Sequence, residues 1–197
     1  MQPTTENIIK AYNVAKESGA DSTCKVLETL YPDVNFTPQD DRPVTERIKT
    51  FEDAVAALGA EHPFVVSYNI MTERFNPQSD DADIISYLKL RIIVAALNEG
   101  WEPKFTEEEW RYVPVDFLYT DEELAEKDED WKRDRCLIPT GDYVTEYAGL
   151  ACACSYHAPS TSNANIGSRL CLKTPELATF CGKQFIELWA DFWLLRR

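Results

Sequence analysis

The sequence has 197 residues, of which 44% are apolar and 27% charged, and its 20 basic and 34 acidic side chains give a formal net charge of −14. Direct binding to nucleic acid or to an anionic membrane is disfavoured, because both present negative phosphates to a negative protein surface. The five Trp, nine Tyr and nine Phe residues exclude a chain that is disordered throughout, since they supply enough apolar surface for a core.

Neither a signal peptide nor a membrane-spanning segment is predicted. Residues 1–7 lack a basic region followed by an apolar one, and every apolar run is shorter than the stretch of about 20 residues that crosses a bilayer. Disulfides form mainly in secreted proteins, so we expect the six thiols to be reduced and mostly packed inside a cytosolic protein. They are Cys24, Cys136, Cys152, Cys154, Cys171 and Cys181.

The N-terminal part of the chain is predicted to be helical. One helix extends from Thr5 to Gly19, and another begins at Asp21 or Ser22 and ends at Pro32. Proline and aspartate are frequent in the residues that follow, which is typical of a linker or an exposed loop. The predicted organisation is a helical hairpin over 1–32, a linker over 33–45 and a single domain over 46–197.

Two further helices are predicted before residue 100. Thr50 and the acidic Asp53 have the pattern of a capping box, and Gly59 is suited to end the short helix that follows. Residues 83–99 carry apolar side chains around most of the helical circumference, which is typical of a helix packed on more than one side. We therefore predict that 83–99 is the central helix of the domain.

After residue 100 the pattern changes to that of β-strands. Residues 110–119 are rich in aromatic and β-branched side chains, and Pro114 within them indicates an edge strand or a bulge. Residues 143–156 alternate well enough to form a second strand. We predict that this strand pairs with 166–173 in a β-hairpin with a long loop.

Two helices complete the predicted domain. Thr120 begins a second capping box, over a short helix at 121–127. Thr174 and Pro175 have the pattern of an N-cap and first helical position, and apolar residues then recur at intervals of three and four as far as Phe192. The elements together predict an α+β fold, with a helical N-terminal half and a small antiparallel sheet packed against the central and C-terminal helices.

Three segments carry a family signature. They are TERIKTFEDA at 45–54, AALNEGWEP at 95–103 and GSRLCLKTPELA at 167–178 with GKQF at 182–185. In this order they resemble a family of proteins without an established activity from gut Bacteroidetes and from their tailed phages and prophages, including crAss-like phages. The segment AYN at 11–13 fits the same pattern, whereas 116–135 and the cysteine-rich strand depart from it. The resemblance implies an origin in a phage or mobile element and transfers no catalytic residue.

Metal binding and nucleophilic catalysis are both disfavoured by the spacing of the ligands. The best candidate zinc ligands are three thiols and an imidazole, those of Cys152, Cys154, Cys171 and His157. No two of these cysteines have the Cys-x-x-Cys spacing of a zinc site. A dyad of Cys154 and His157 lacks a third group to orient the imidazole. Cys152 and Cys154 are predicted to share an apolar strand face with Leu150, so we expect packed thiols, no metal, no cofactor and no catalytic residue.

Acidic residues are concentrated in one part of the chain. Residues 99–135 hold 14 acidic and six basic side chains, a net charge of −8. Such runs are usually solvated surface. The alternative is an ordered acidic patch that imitates DNA and occupies a basic protein. The residues of this candidate acidic patch are Glu107, Glu108, Glu109, Asp128, Glu129 and Asp130.

Aromatic residues in the same region are candidates for a protein interface. Exposed aromatics rimmed by charge are typical of such interfaces, although most aromatic side chains are buried in cores. The candidate interface residues are Trp110, Tyr112, Tyr119, Trp131 and Trp193.

The expected function is non-enzymatic. We expect a phage- or prophage-associated protein, in the cytoplasm of a bacterial host or in the virion, that acts by contact with phage structural proteins, host proteins or further copies of itself. The first alternative is an acidic inhibitor of a host nucleic-acid-binding defence protein. An enzyme of unknown class is the second alternative.

Overall fold

The computed structural model describes residues 3–34, 36, 40, 42–74, 81–104, 106, 108–157 and 168–197. Within these residues the fold is α+β, as the sequence predicts, with ten α-helices and one three-stranded antiparallel sheet. No helix in these ranges is long and apolar enough to cross a membrane. The chain divides into two compact units, Met1–Arg42 and Pro43–Arg197.

The first unit is a pair of helices, α1 (Thr5–Glu17) and α2 (Asp21–Leu30). Its small core includes Tyr12, whose ring stacks on that of Phe36 with the centroids 4.5 Å apart. The Tyr12 hydroxyl donates a hydrogen bond of 2.6 Å to the carboxylate of Glu28 on α2. This bond connects the two helices and is the main reason that the pKa of Tyr12 is raised to about 12.

The second unit contains the other eight helices. They are α3 (Val44–Arg47), α4 (Phe51–Leu58), α5 (Pro63–Thr72), α6 (Ala82–Asn98), α7 (Asp121–Ala125), α8 (Glu129–Asp134), α9 (Pro175–Gln184) and α10 (Ile186–Trp193). The predicted capping box is confirmed at α4, where Asp53 donates its backbone N–H to the Thr50 hydroxyl at 3.1 Å and accepts the Thr50 N–H at 2.9 Å. The sequence pattern does not predict α5, because its apolar residues do not recur on one face.

Helix α6 is the central helix, as predicted from 83–99. Eleven of its side chains are buried, because α4, α5 and α10 all pack against it. Its residues Leu90, Ile92 and Leu97 are fully buried and belong to the largest core cluster, which also contains Trp189 of α10. Burying a helix on several sides removes a large apolar area from water and stabilises the second unit.

The sheet contains β1 (Tyr112–Tyr119), β2 (Ile138–Pro139) and β3 (Gly149–His157) in the order β1-β3-β2. Both strand pairs are antiparallel. Pro114 lies in β1, which is an edge strand of this sheet, as predicted. An edge strand tolerates proline because one side of its backbone needs no hydrogen bond from a neighbouring strand.

The predicted hairpin between 143–156 and 166–173 is wrong. Strand β3 pairs with β1 over its whole length instead. Residues 168–170 form a short 3₁₀ turn, and Leu172 joins the sheet only through a single bridge to Tyr112. Residues 166 and 167 lie outside the described part of the chain. Strand pairing depends on contacts between distant segments, which the alternation within one strand does not specify.

The pairing of β1 with β3 shifts register between Val115 and Asp116. Because strand side chains alternate, this shift separates Cys152 and Cys154 onto different sides of the sheet. Cys152 is buried and Cys154 is exposed, which corrects the prediction that both lie on one apolar face. The inner face lies against α9, where a Cβ added to Gly182 would be only 2.7 Å from the sulfur of Cys152.

The C-terminal helix is broken, whereas the sequence predicts one continuous helix. Helix α9 ends at Gln184, α10 begins at Ile186, and Phe185 between them has φ −120° and ψ 31°. Helix α9 packs on β1 and β3, whereas α10 packs chiefly on α6. A change of direction at Phe185 lets the two helices cover these two surfaces.

Candidate functional site

The C-terminal end of α6 is bonded to two segments that are distant in sequence. The buried Asn98 side chain donates to the carbonyl oxygen of Cys171 at 2.9 Å and accepts the backbone N–H of Lys173 at 3.1 Å. Glu99 forms ion pairs with Arg47 of α3 and with the Lys173 ammonium, the latter at 3.0 Å. The same two cations lower the pKa of Glu99, with the hydrogen bond from Lys173 as the main cause.

These contacts bring together the three sequence segments on which the resemblance was based. Arg47 belongs to 45–54, Glu99 to 95–103 and Lys173 to 167–178. A further hydrogen bond of 2.9 Å joins the Gln184 amide to the carbonyl oxygen of Lys49. These segments are therefore neighbours in the fold, although Lys49 and Gln184 are 135 positions apart in the sequence.

A left-handed turn follows α6. Glu99 has φ 49° and Gly100 has φ 84°, and the backbone N–H of Trp101 donates to the carbonyl oxygen of Asn98 at 2.9 Å. A left-handed conformation costs a residue other than glycine roughly 1–2 kcal/mol. The ion pairs of Glu99 offset part of this cost, and the turn directs 101–103 back beside the helix.

A cleft of about 550 Å³ lies between this turn and the start of α5. Val94 and Ala95 of α6 form one wall, and Trp101 belongs to the chain segment that forms another. Phe64 of α5 lines the third wall, and Arg169 also lines the cleft from the 3₁₀ turn before α9. All of these residues belong to the second unit.

His62 lines the cleft in a defined orientation. It is the N-cap of α5, where its Nδ1 accepts the backbone N–H of Phe64 at 3.2 Å. The two rings meet edge to face with their centroids 5.1 Å apart. This hydrogen bond occupies Nδ1, so Nε2 is the ring nitrogen that remains for other contacts.

One side of the sheet forms a second candidate site, the outer sheet face. Val113 lies opposite Tyr156 in the strand register, and Val115 lies opposite Cys154. Phe117 and Tyr156 are 52% and 50% exposed, Cys154 is also exposed, and the two valines are half-buried. We define the outer sheet face as Val113, Val115, Phe117, Cys154 and Tyr156.

The end of β3 that begins at Gly149 is covered. A Cβ added to Gly149 would lie 2.7 Å from Leu137 and 3.0 Å from Leu124, and Ala151 is fully buried. The outer sheet face is therefore the part of this surface that the segment over 121–137 leaves exposed.

The structure divides the candidate interface residues into separate groups. Tyr119 contacts Trp131, with the ring centroids 5.2 Å apart. Tyr112 lies at the other end of β1, about 23 Å from Tyr119, because a strand rises about 3.3 Å per residue. Trp110, which is 48% exposed, precedes that end of β1. Trp193 is 44% exposed and stacks on the buried Trp189, with the centroids 5.8 Å apart.

Most described members of the candidate acidic patch have local partners. Asp128 caps α8 by accepting the N–H of Trp131 at 2.7 Å. Glu129 pairs with Lys132 at 2.8 Å and Asp130 with Arg133 at 2.6 Å. Glu109 accepts the backbone N–H of Lys104, and Glu108 is exposed. Glu107 lies outside the described residues.

The described thiols of the candidate metal set do not form a cluster with other possible ligands. Cys152 and Cys171 are buried, and Cys154 is exposed. The His157 side chain lies outside the described part of the structure. No group of three metal-ligating side chains occurs among the described residues.

Comparison with models of protein families, with curated proteins and with solved structures finds no match for this chain. The candidate sites therefore depend on the geometry alone. No sequence pattern marks Arg169, His62 or Phe117 as a site residue. Alternation along 110–119 marks Phe117 as one of the apolar residues of a strand, whereas no local pattern brings His62 and Arg169 together.

Proposed function

We propose that the protein is non-enzymatic and acts by binding another protein through the outer sheet face. The observation that carries this proposal is the exposed apolar surface formed by Val115, Phe117 and Tyr156 on paired strands. Contiguous apolar surface on an otherwise charged protein is typical of interaction sites. The family resemblance supports a phage or prophage origin, so the partner is a phage structural protein or a host protein.

The charge around the outer sheet face indicates the chemistry of its partner. Strand β1 is preceded by Glu108 and Glu109 and followed by Asp121, Glu122 and Glu123. A partner with an apolar centre and a basic rim complements both features, since opposite charges at the rim accelerate association and reject partners of like charge. We expect such a partner to release in high salt more readily than one held by apolar contact alone.

The contact function is favoured over imitation of DNA. Asp128, Glu129 and Asp130 act in helix capping and local ion pairs, which reduce the negative charge that they present to a partner. An inhibitor of a nucleic-acid-binding protein needs acids that face outward without such neutralisation. It remains the second candidate because the chain carries a net charge of −14.

Site-specific photocrosslinking tests the proposal. A benzoylphenylalanine placed at Phe117 should form one discrete adduct in the lysate of a gut Bacteroidetes host, and Tyr156→Lys in the same chain should remove that adduct. The matched control is the same photocrosslinker at Val144, which is 62% exposed and lies outside the outer sheet face. An identical adduct at both positions, or none at Phe117, contradicts the proposal. Competition by duplex DNA for the adduct supports the inhibitor instead.

A further inference from the structure

Two arginines beside the cleft form no ion pair with any residue that the structure describes. Acidic side chains outnumber basic ones by 34 to 20, and eight ion pairs join them in the described residues. Neither Arg91 nor Arg169 takes part in any of these pairs. In so acidic a protein, two neighbouring cations that form no ion pair in the described residues indicate a place where an external anion is favoured.

The surroundings of Arg91 strengthen this argument. Its guanidinium lies over the ring of Phe64, 4.2 Å from the centroid, and its Nε is buried without a hydrogen-bond partner in the described structure. Burial is the main cause that lowers the pKa of Arg91, and the nearby charge of Arg169 lowers it further, whereas Tyr87 opposes the shift. An anion in the cleft would relieve the repulsion between the two arginines.

The walls of the cleft favour a flat apolar group. Phe64 and Trp101 contribute aromatic rings, and Leu58, Val94 and Ala95 contribute aliphatic surface. Ligand sites of this kind are mostly apolar, with a few polar groups that fix the orientation of the ligand. The volume of about 550 Å³ suits a small organic molecule.

The polar groups of the cleft limit the charge of its ligand. Arg169 supplies a cation, Glu102 supplies an exposed carboxylate, and His62 supplies Nε2. The N-terminus of α5 adds little, because Pro63 has no N–H and the N–H of Phe64 is bonded to His62. One carboxylate beside the arginine disfavours a multiply charged ligand and is compatible with a single negative charge.

We propose that this cleft binds a small aromatic monoanion, in which Arg169 contacts the carboxylate and Phe64 and Trp101 contact the ring. The site is independent of the outer sheet face, since no residue is shared between them. Charge-assisted hydrogen bonds from an arginine to a carboxylate orient such ligands.

Binding of an anionic dye provides the test. Titration of the full chain with 8-anilinonaphthalene-1-sulfonate, followed by dye fluorescence, should show one saturable site, and indole-3-acetate should displace the dye. Indole-3-ethanol, which lacks the charge, should not displace it. Arg169→Gln should weaken binding by at least about tenfold, as expected for loss of a charged contact. Arg133→Gln removes the same charge from an exposed position that is ion-paired with Asp130, and it should leave binding unchanged.

A second variant tests the position of the ligand. Ala95→Phe places a ring inside the cleft and should abolish dye binding while the circular dichroism spectrum stays unchanged. If Ala95→Phe does not fold, dye binding by Arg169→Gln is compared with that by Arg133→Gln. This comparison still tests the proposal, because Arg169 is exposed and its replacement should leave the fold intact. Absence of a saturable site overturns the proposal, as does equal binding by the two arginine variants. If dye binding is lost only in Phe117→Ser, the dye binds to the outer sheet face, and this result also overturns the proposal.

Discussion

Asp116 of β1 lies directly opposite Cys152 of β3, and both side chains are directed to the inner face of the sheet beneath α9. Both carboxyl oxygens of Asp116 are buried and accept no hydrogen bond of normal geometry from the described residues. Burial raises the pKa of Asp116 to about 6, although the Cys152 thiol and the Trp193 ring oppose the shift. Burial is also the main cause that raises the pKa of Cys152 to about 12.

Asp116→Asn should stabilise the protein at neutral pH. The pKa of Asp116 rises from 3.8 to about 6 on folding, so its contribution to stability is fully present below about pH 4 and is lost as the pH rises through 6. We expect the variant to gain up to about 3 kcal/mol at pH 7 and almost nothing at pH 4. Urea unfolding across this range measures the difference. Asp142→Asn, at an exposed position, should show no comparable pH dependence.

Gly182→Ala should destabilise the second unit. Its Cβ would lie 2.7 Å from the Cys152 sulfur and 2.8 Å from the Cβ of Pro114. Overpacking of this kind costs about 1–3 kcal/mol, which exceeds the gain of about 1 kcal/mol that alanine brings within a helix. Gly141→Ala is the control, because no atom lies within 4 Å of its added Cβ. An equal melting temperature for both variants would contradict the close approach of α9 to the sheet.

The two tryptophans of α10 should differ in their effect on stability. Trp189 is fully buried, so Trp189→Ala should cost about 3–5 kcal/mol. Trp193 is 44% exposed and contributes mainly its stacking on Trp189, which is worth about 0.5–1.5 kcal/mol. Chemical denaturation measures both losses. Equal destabilisation would mean that Trp193 is part of the core and would remove it from the candidate interface.

Asn98→Ala should cost about 3 kcal/mol, because it removes the buried hydrogen bonds of Asn98 to the carbonyl of Cys171 and from the N–H of Lys173. Asn69→Ala removes the same groups from an exposed position on α5 and should change stability by less than about 0.5 kcal/mol. Equilibrium unfolding of the two variants gives the comparison. A similar, small loss in both would show that the bonds of Asn98 do not hold the end of α6.

Thiol reactivity should separate the cysteines of the two sheet faces. Cys154 is exposed, whereas Cys24, Cys152, Cys171 and Cys181 are buried. Burial also raises the pKa of the Cys181 thiol to about 12, and the thiolate is the reactive form. Ellman's reagent should therefore modify Cys154 first in the native protein, and Cys154→Ser should remove that phase. Reaction of Cys152 as fast as that of Cys154 would contradict the register shift that separates the two faces.

Local patterns predict the helices of this protein better than its sheet. The capping box of Thr50 and Asp53 depends on neighbouring residues, and the burial of α6 follows from its apolar circumference. The pairing of β3 with β1 and the break at Phe185 depend instead on which surfaces α9 and α10 must cover. Sequence periodicity does not contain that information.

Local sequence patterns likewise predict only part of the candidate sites. The strand composition of 110–119 is visible in the sequence, but the exposure of Phe117 depends on what the segment over 121–137 covers. The cleft assembles His62, Trp101 and Arg169 from three separated segments. Only the folded chain shows that Arg169 forms no ion pair with any described residue, because acids are abundant throughout the sequence.

The attachment of α6 to its neighbours combines two kinds of bond with different sensitivity to solution conditions. The ion pairs of Glu99 with Arg47 and Lys173 are partly exposed, and dissolved salt weakens such pairs once the screening length falls to about 3 Å in molar solution. The hydrogen bonds of Asn98 are buried and are little affected. Rising ionic strength should therefore loosen α3 from the end of α6 while the segment before α9 stays bound, which makes the turn at Glu99 a salt-sensitive point of the fold.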